Sequence, residues 1–89
     1  MNCIVTVVGK DKVGIIARVC TYLANNEVNI LDISQTIVHG YFNMMLVVEL
    51  SEKSSSFEAV ADGLEALGNE IGVSILIQRE DIFNAMHRI

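Results

Sequence analysis

The chain has 89 residues, of which 52% are hydrophobic and 19% charged, and its formal net charge is −5. This length fits one domain, and a domain so small has little room for both a core and a deep catalytic cleft, so we expect function at a surface or a subunit interface. Its six basic residues are scattered singly, so neither nucleic acid nor an anionic membrane is expected as a direct partner.

The first half of the chain predicts a strand, a helix and a second strand. Residues 3–8 form a β-branched run typical of a buried strand, and apolar residues then recur at helical spacing from about 13 to 26. From 28 to 38 the pattern alternates, with Leu31, Ile33 and Ile37 on one face of a strand whose other face is polar. The apolar stripe of the helix consists of Ile16, Val19, Cys20 and Leu23.

The second half predicts a hairpin, a second helix, a fourth strand and a tail helix. A turn at 39–40 leads to an alternating strand at 42–50. Ser55, with Glu58 three residues later, predicts a capping box at the start of a helix that ends at Gly72. Residues 73–77 then form a strand, and 80–89 form a short helix with an apolar stripe.

This element order predicts an α+β fold, the ferredoxin-like βαββαβ sandwich, with a four-stranded antiparallel sheet, two helices on one face and a short C-terminal helix. Strand 28–38 lies at an edge of that sheet and contains no proline. A long edge of this kind must be covered or paired. We expect either a homodimer that pairs this strand or a tail helix that folds back over its own sheet.

The patterns of enzymes, metal sites and exported proteins are missing. The loop after the first strand has no arginine to hold an acyl phosphate and no Cys-x-x-Cys pair, and neither His39 nor His87 lies beside a nucleophile in sequence. We expect no catalytic residue, no metal and no cofactor. No apolar run approaches ~18 residues and the N-terminus lacks a signal peptide, so a cytoplasmic protein with reduced Cys3 and Cys20 is expected.

The loop between the first strand and the first helix concentrates the potential chemistry. Gly9 ends the strand and Gly14 opens the helix, so the residues between them should present unpaired amides that suit a carboxylate or a phosphate. Asp11 offers an acceptor for an ammonium group, and Asn29 could approach the loop of a partner chain. In the alternative interpretation, Asp11 only caps the first helix and Asn29 only stops it.

Two segments of the chain resemble the ACT domain family. They are Gly-x-Asp-Lys-x-Gly-Ile-Ile-Ala at 9–17 and Val-Asn-Ile-Leu-Asp at 28–32, set within the βαββαβ order. The resemblance identifies 1–79 as an ACT domain and 80–89 as a helical extension of it. This tail resembles that of a stand-alone single-ACT family of uncharacterised prokaryotic proteins, related to the regulator of the glycine cleavage system.

The resemblance implies a non-catalytic regulatory homodimer that binds an amino acid or a similar small metabolite at its interface. Helix 13–26 and strand 28–38 are the implied dimer elements. Many ACT loops carry proline where this chain has Val13, so the loop is expected to be less preorganised. A ligand-free module that regulates an enzyme or a transcription regulator is the alternative. The implied ligand residues are Asp11, Lys12, Val13, Gly14, Ile15, Asn29 and Ile30.

Overall fold

A computed structural model of the chain describes residues 1–10 and 12–82. The four strands form an antiparallel sheet in the order β2-β3-β1-β4, so the ferredoxin-like fold and the edge position of β2 are confirmed. A helical turn follows at 80–82, and the rest of the expected tail helix, 83–89, lies outside the described residues. The elements are β1 (Asn2–Lys10), α1 (Ile15–Asn25), β2 (Val28–Val38), β3 (Tyr41–Leu50), α2 (Phe57–Ile71) and β4 (Ser74–Arg79).

The core lies between the helices and one face of the sheet. Alternate residues of β1 and β3 pack against buried residues of α1 and α2, because successive side chains of a strand point to opposite faces. Met44 is fully buried while Met45 is partly exposed, as the alternation predicts. The fully buried side chains are Cys3, Val5, Val7, Val19, Leu23, Met44, Leu46, Val48, Val60 and Leu64.

The hydrogen-bond alternation determines which backbone groups face the two free edges. Met1 and Leu50 exchange both backbone hydrogen bonds, at 2.9 and 2.8 Å. In an antiparallel ladder this pairing repeats every second residue, so the odd-numbered residues of β1 bond to β3 and the even-numbered ones to β4. It follows that Ile75 and Ile77 direct their N–H and C=O groups away from β1, toward the free edge of β4.

A β-bulge at Leu31 corrects the predicted alternation of β2. Ile30 and Asp32 pair with consecutive residues of β3, which leaves Leu31 as the extra residue. The strict alternation predicted from 28 to 38 is therefore interrupted at Leu31, while Ile33 and Ile37 lie on one face. The bulge has a physical purpose, because without it Val28 and Ile30 would face away from the core while Ile33 faced it.

The buried stripe of α1 also differs from the predicted one. The helix begins after Gly14 and buries Ile15, Val19 and Leu23, every fourth residue, whereas Ile16 is 38% exposed. Ile16 therefore lies beside the core stripe rather than in it. This leaves an apolar side chain on the surface next to the loop.

Helix α2 starts one residue later than predicted. Ser56, and not Ser55, is the N-cap, and its hydroxyl accepts a hydrogen bond from the Ala59 N–H at 3.2 Å. Ser55 is occupied elsewhere, because its hydroxyl donates to Asn26 Oδ1 at 2.8 Å and its N–H donates to the Asn26 carbonyl. The connection before α2 is thus tied to the turn after α1.

Three polar contacts join α1 and its preceding loop to α2. The Tyr22 hydroxyl donates to the backbone carbonyls of α2 near Val60, at 3.2 and 3.3 Å. Arg18 forms an ion pair with Glu70 at 3.0 Å. Lys12 Nζ donates to the Ile71 carbonyl at 3.2 Å. The two helices are therefore connected at both ends.

Among the described residues, no helix combines the length and the apolar character needed to cross a bilayer. Cys3 and Cys20 are both free, and burial raises the pKa of each thiol. Their thiols are packed at the core rather than activated.

Candidate ligand site at the start of helix α1

Helix α1 begins without a side-chain cap. Its N-cap is Gly14, in the left-handed region with φ 88°, and glycine has no side-chain acceptor. The first turn of the helix contains no acidic residue. The N–H groups of Ile15, Ile16 and Ala17 precede the first intrahelical donor, Arg18, which bonds to Gly14 O at 2.9 Å. The positive end of α1 is therefore suited to an anion.

A cavity of about 400 Å³ opens beside this helix start. Its volume falls within the range of about 300–1,000 Å³ typical of small-molecule sites. Phe42, at the beginning of β3, is 3% exposed and closes its inner side. The site thus combines free helix amides with an apolar wall. The lining residues are Lys12, Gly14, Ile15, Ile16, Ala17 and Phe42.

Three of the five loop residues expected at the site line this cavity, namely Lys12, Gly14 and Ile15. Val13 is fully exposed and does not line it. Lys12 also holds the C-terminal end of α2 through its bond to the Ile71 carbonyl, which favours a cation there. Asp11 lies outside the described residues.

Asn29 and Ile30 lie far from the loop within one chain. Asn29 pairs with Glu49 of β3, and Glu49 pairs with Asn2 at the start of β1. The loop follows Lys10 at the other end of β1, about 26 Å away at ~3.3 Å per residue. Only a second chain can therefore bring Asn29 to the loop. The alternative in which Asn29 stops α1 does not fit, since the helix ends at Asn25.

An apolar surface that the sequence patterns did not predict adjoins the cavity. Ile37 pairs with the cavity residue Phe42, and both Ile33 and Ile37 are exposed although they face the helix side of the sheet. Helix α1 therefore leaves the second half of β2 uncovered. The sequence patterns place Phe42 at the start of the alternating strand 42–50 and Ile16 in the apolar stripe of the first helix. The spacing of Ile33 and Ile37, apolar on an expected edge strand, was the available signal.

The sequence of residues 2–78 matches the family model of the ACT domain. The chain belongs to the ACT domain family. Domains of this family are commonly regulatory and bind ligands. Among the relatives of this ACT domain, a UPF0237 protein of Bifidobacterium longum is 60% identical over 97% of the chain and 96% of its own length.

Solved structures share the fold of this ACT domain. An ACT domain protein from Streptococcus pneumoniae is 46% identical, with a TM-score of 0.82 and 93% of each chain covered. A putative glycine cleavage system transcriptional repressor has a TM-score of 0.77 at 21% identity, covering 86% of this chain and 44% of that one. At that identity, the second likeness extends to the fold alone.

The described residues contain no group of three or more His, Cys, Asp or Glu side chains placed to hold a metal ion. The α1 site offers backbone amides as hydrogen-bond donors, an apolar wall and the side chain of Lys12.

Proposed function

We propose that this ACT domain is a non-catalytic sensor that binds an amino acid or a similar small metabolite between two copies of the chain. The observation that supports it most is the uncapped start of α1, which opens into a cavity next to the uncovered half of β2. A charged group and an apolar group of one small molecule would both find partners there. Free thiols at Cys3 and Cys20 suit a reducing compartment, and we propose a cytoplasmic location.

Each part of a zwitterion has a candidate partner in this proposal. The ligand carboxylate accepts hydrogen bonds from the first amides of α1, between Gly14 and Ala17. An apolar side chain packs against Phe42 and Ile16. The ammonium group is assigned to the carboxylate of Asp11, in keeping with the loop motif.

The second copy is expected to pair through β2. By the same alternation as in β4, Ile33, Gln35 and Ile37 direct their backbone groups toward the free edge of β2. Antiparallel pairing of two copies about an axis near Ser34 would bring Asn29 of the partner subunit to the loop end of the sheet. This arrangement would bring together the proposed ligand residues, which lie at opposite ends of the sheet within one chain.

Regulation then follows from linkage. The proposed site is complete only in the dimer, so the ligand binds the dimer more tightly than the monomer. This difference in affinity shifts the equilibrium toward the dimer. A partner protein that distinguishes these states would respond to the ligand concentration. The sensor needs no chemistry of its own.

A thermal-shift panel of the twenty amino acids tests the proposal. Ligand at a hundred times its Kd should add about 2.7 kcal/mol of stability. Ile16→Glu places a carboxylate beside the helix amides and should abolish the shift. Ala24→Glu, an exposed position at the far end of the same helix, should retain it. A flat panel with the unmodified chain, or equal shifts in both variants, would contradict the proposal.

A ligand-free interaction module remains the second candidate. Val13 is fully exposed and Ile16 is partly exposed beside it, so the loop presents apolar side chains outward. This surface suits an enzyme or a transcription regulator as partner. The flat thermal-shift panel is the outcome that favours this candidate.

A further inference from the structure

A second and larger depression lies between α2 and β4. It has a volume of about 700 Å³. Ala61, Glu65 and Asn69 line it from α2, and β4 forms its other side. We call it the α2–β4 groove. The groove shares no lining residue with the cavity at the start of α1, and the bond from Lys12 to the Ile71 carbonyl lies between the two.

Among the described residues, the outer edge of β4 from Ser74 to Gln78 has no proline, no bulge and no charged side chain to hinder strand pairing. Ile75 and Ile77 direct their N–H and C=O groups toward this edge, as the ladder alternation requires. Residues 73–78 contain no proline and no charged side chain. The pairing of β4 with β1 runs from Ser74 to Arg79 without a bulge. Natural edge strands are usually blocked by lysine, proline or a bulge, so this one can accept a further strand.

The charge of the groove indicates what kind of strand it accepts. Helix α2 contains four acidic residues and no lysine or arginine. Glu70 is paired with Arg18, but Glu65 makes no ion pair within the described residues. Glu65 is also the one charged residue that lines the groove in that part of the chain. A basic side chain on the added strand would complement it.

The same charge disfavours a second copy of this chain as the occupant. A two-fold axis through two paired β4 strands would bring the α2 helices of both copies side by side. Glu65 of one chain would then lie near Glu65 of the other chain, and α2 has no basic residue to offset the repulsion between these two carboxylates. A strand with lysine or arginine has no such cost.

We propose that the α2–β4 groove binds an extended segment of another protein, which joins the sheet as a fifth strand beside β4. The segment alternates apolar and polar residues and carries a lysine or arginine that reaches Glu65. Backbone pairing with Ile75 and Ile77 supplies the affinity, and the charge at Glu65 supplies the preference. The inference does not depend on the amino-acid site.

Titration of the isotope-labelled full chain with a synthetic peptide, followed by amide NMR, tests this inference. The probe is a nine-residue peptide of alternating valine and threonine with a central lysine. We expect shift changes in β4 and around Glu65, and slower hydrogen exchange at the amides of Ile75 and Ile77. The same peptide with a central glutamate should bind at least about threefold more weakly. A version with two internal prolines should not bind.

A charge swap on the protein provides the decisive control. Glu65→Lys should reverse the preference, so that the glutamate peptide binds more tightly than the lysine peptide. Glu52→Lys makes the same change in net charge at an exposed turn outside the groove and should leave the preference unchanged. Absence of binding, shift changes confined to β2, or the same preference in both variants would overturn the inference.

Discussion

At the scale of single residues, Gly63 and Tyr22 illustrate how closely the two helices approach. A Cβ atom added at Gly63 would overlap the hydroxyl of Tyr22, which bonds to the carbonyls of Ala59 and Val60. Glycine inside a helix costs up to about 1 kcal/mol relative to alanine. Its presence in α2 is therefore explained by the space that Tyr22 occupies.

This packing predicts a strong coupling between the two positions. Gly63→Ala should lower the free energy of unfolding by about 1–3 kcal/mol, because the tyrosine must move. In a Tyr22→Ala background, the same change should raise stability by up to about 1 kcal/mol, the helix propensity of alanine. Urea unfolding of the four chains measures the coupling, and equal effects in both backgrounds would contradict this explanation.

The thiols of Cys3 and Cys20 and the hydroxyl of Tyr22 have raised pKa values, which predicts that the folded chain loses stability in alkaline solution. Burial raises the pKa of the Cys3 and Cys20 thiols above 9.0, and burial followed by the nearby Asp62 carboxylate raises the pKa of Tyr22 above 10.0. The unfolded chain therefore loses these protons first as the pH rises. The stabilisation is complete below the unfolded thiol pKa, about 9, and is lost as the pH rises through the folded values.

Urea unfolding between about pH 8 and pH 10.5 checks this expectation. The free energy of unfolding should fall across that interval. Combined Cys3→Val and Cys20→Ala substitutions should flatten the first part of the decline, because no thiol then ionises. A decline of the same size in the substituted chain would show that other groups cause it.

At the scale of elements, the bulge in β2 is the feature on which the edge strand depends. Leu31 is the extra residue that allows Val28 and Ile30 to face the core together with Ile33. Val28 is 5% exposed, so its burial is nearly complete. A strand without the bulge would place two apolar side chains on the wrong face.

Deletion of Leu31 should therefore be far more harmful than its replacement. We expect the deletion to lower the free energy of unfolding by about 3 kcal/mol or more, since burying each such side chain contributes ~1.5–3 kcal/mol. Leu31→Ser keeps the bulge and should change stability by less than about 1 kcal/mol. Chemical denaturation of both variants gives the comparison, and a well-tolerated deletion would refute this role of the bulge.

The order of the elements could be predicted because each helix and strand has a recognisable pattern in its own stretch of sequence. The β-branched run of β1, the glycine turn at Gly40 and the polar segment before α2 all read correctly from the sequence. Details that depend on tertiary contacts could not be predicted in the same way. Ser55 resembles a cap in sequence, and only its bonds to Asn26 assign that role to Ser56.

The candidate site was predictable in part for the same reason. Gly14 marks the start of α1 in sequence, and the structure confirms it as the N-cap. The apolar wall formed by Phe42 depends on how β3 meets the loop, which no local pattern records. The bond from Lys12 to the Ile71 carbonyl joins residues 59 positions apart, so no local sequence pattern could predict it.

At the scale of the whole molecule, the proposed ligand site depends on a second copy of the chain. Asn29 lies at one end of the sheet and the loop at the other, so one copy does not complete the proposed site. The uncovered part of β2, with Ile33 and Ile37, is the surface expected to be buried between copies. A lysine in that surface would lose its hydration or keep the copies apart.

Sedimentation velocity at about 10 μM is the most direct test, a concentration well above the Kd of a stable homodimer. The unmodified 9.8 kDa chain should sediment as a dimer, and Ile37→Lys as a monomer. The control variant is Leu76→Lys. Leu76 is 54% exposed and Ile37 is 55% exposed, but Leu76 lies on β4, at the other edge of the sheet, so this variant should remain a dimer. An unmodified chain that sediments as a monomer, or an Ile37→Lys variant that stays dimeric, would contradict the account.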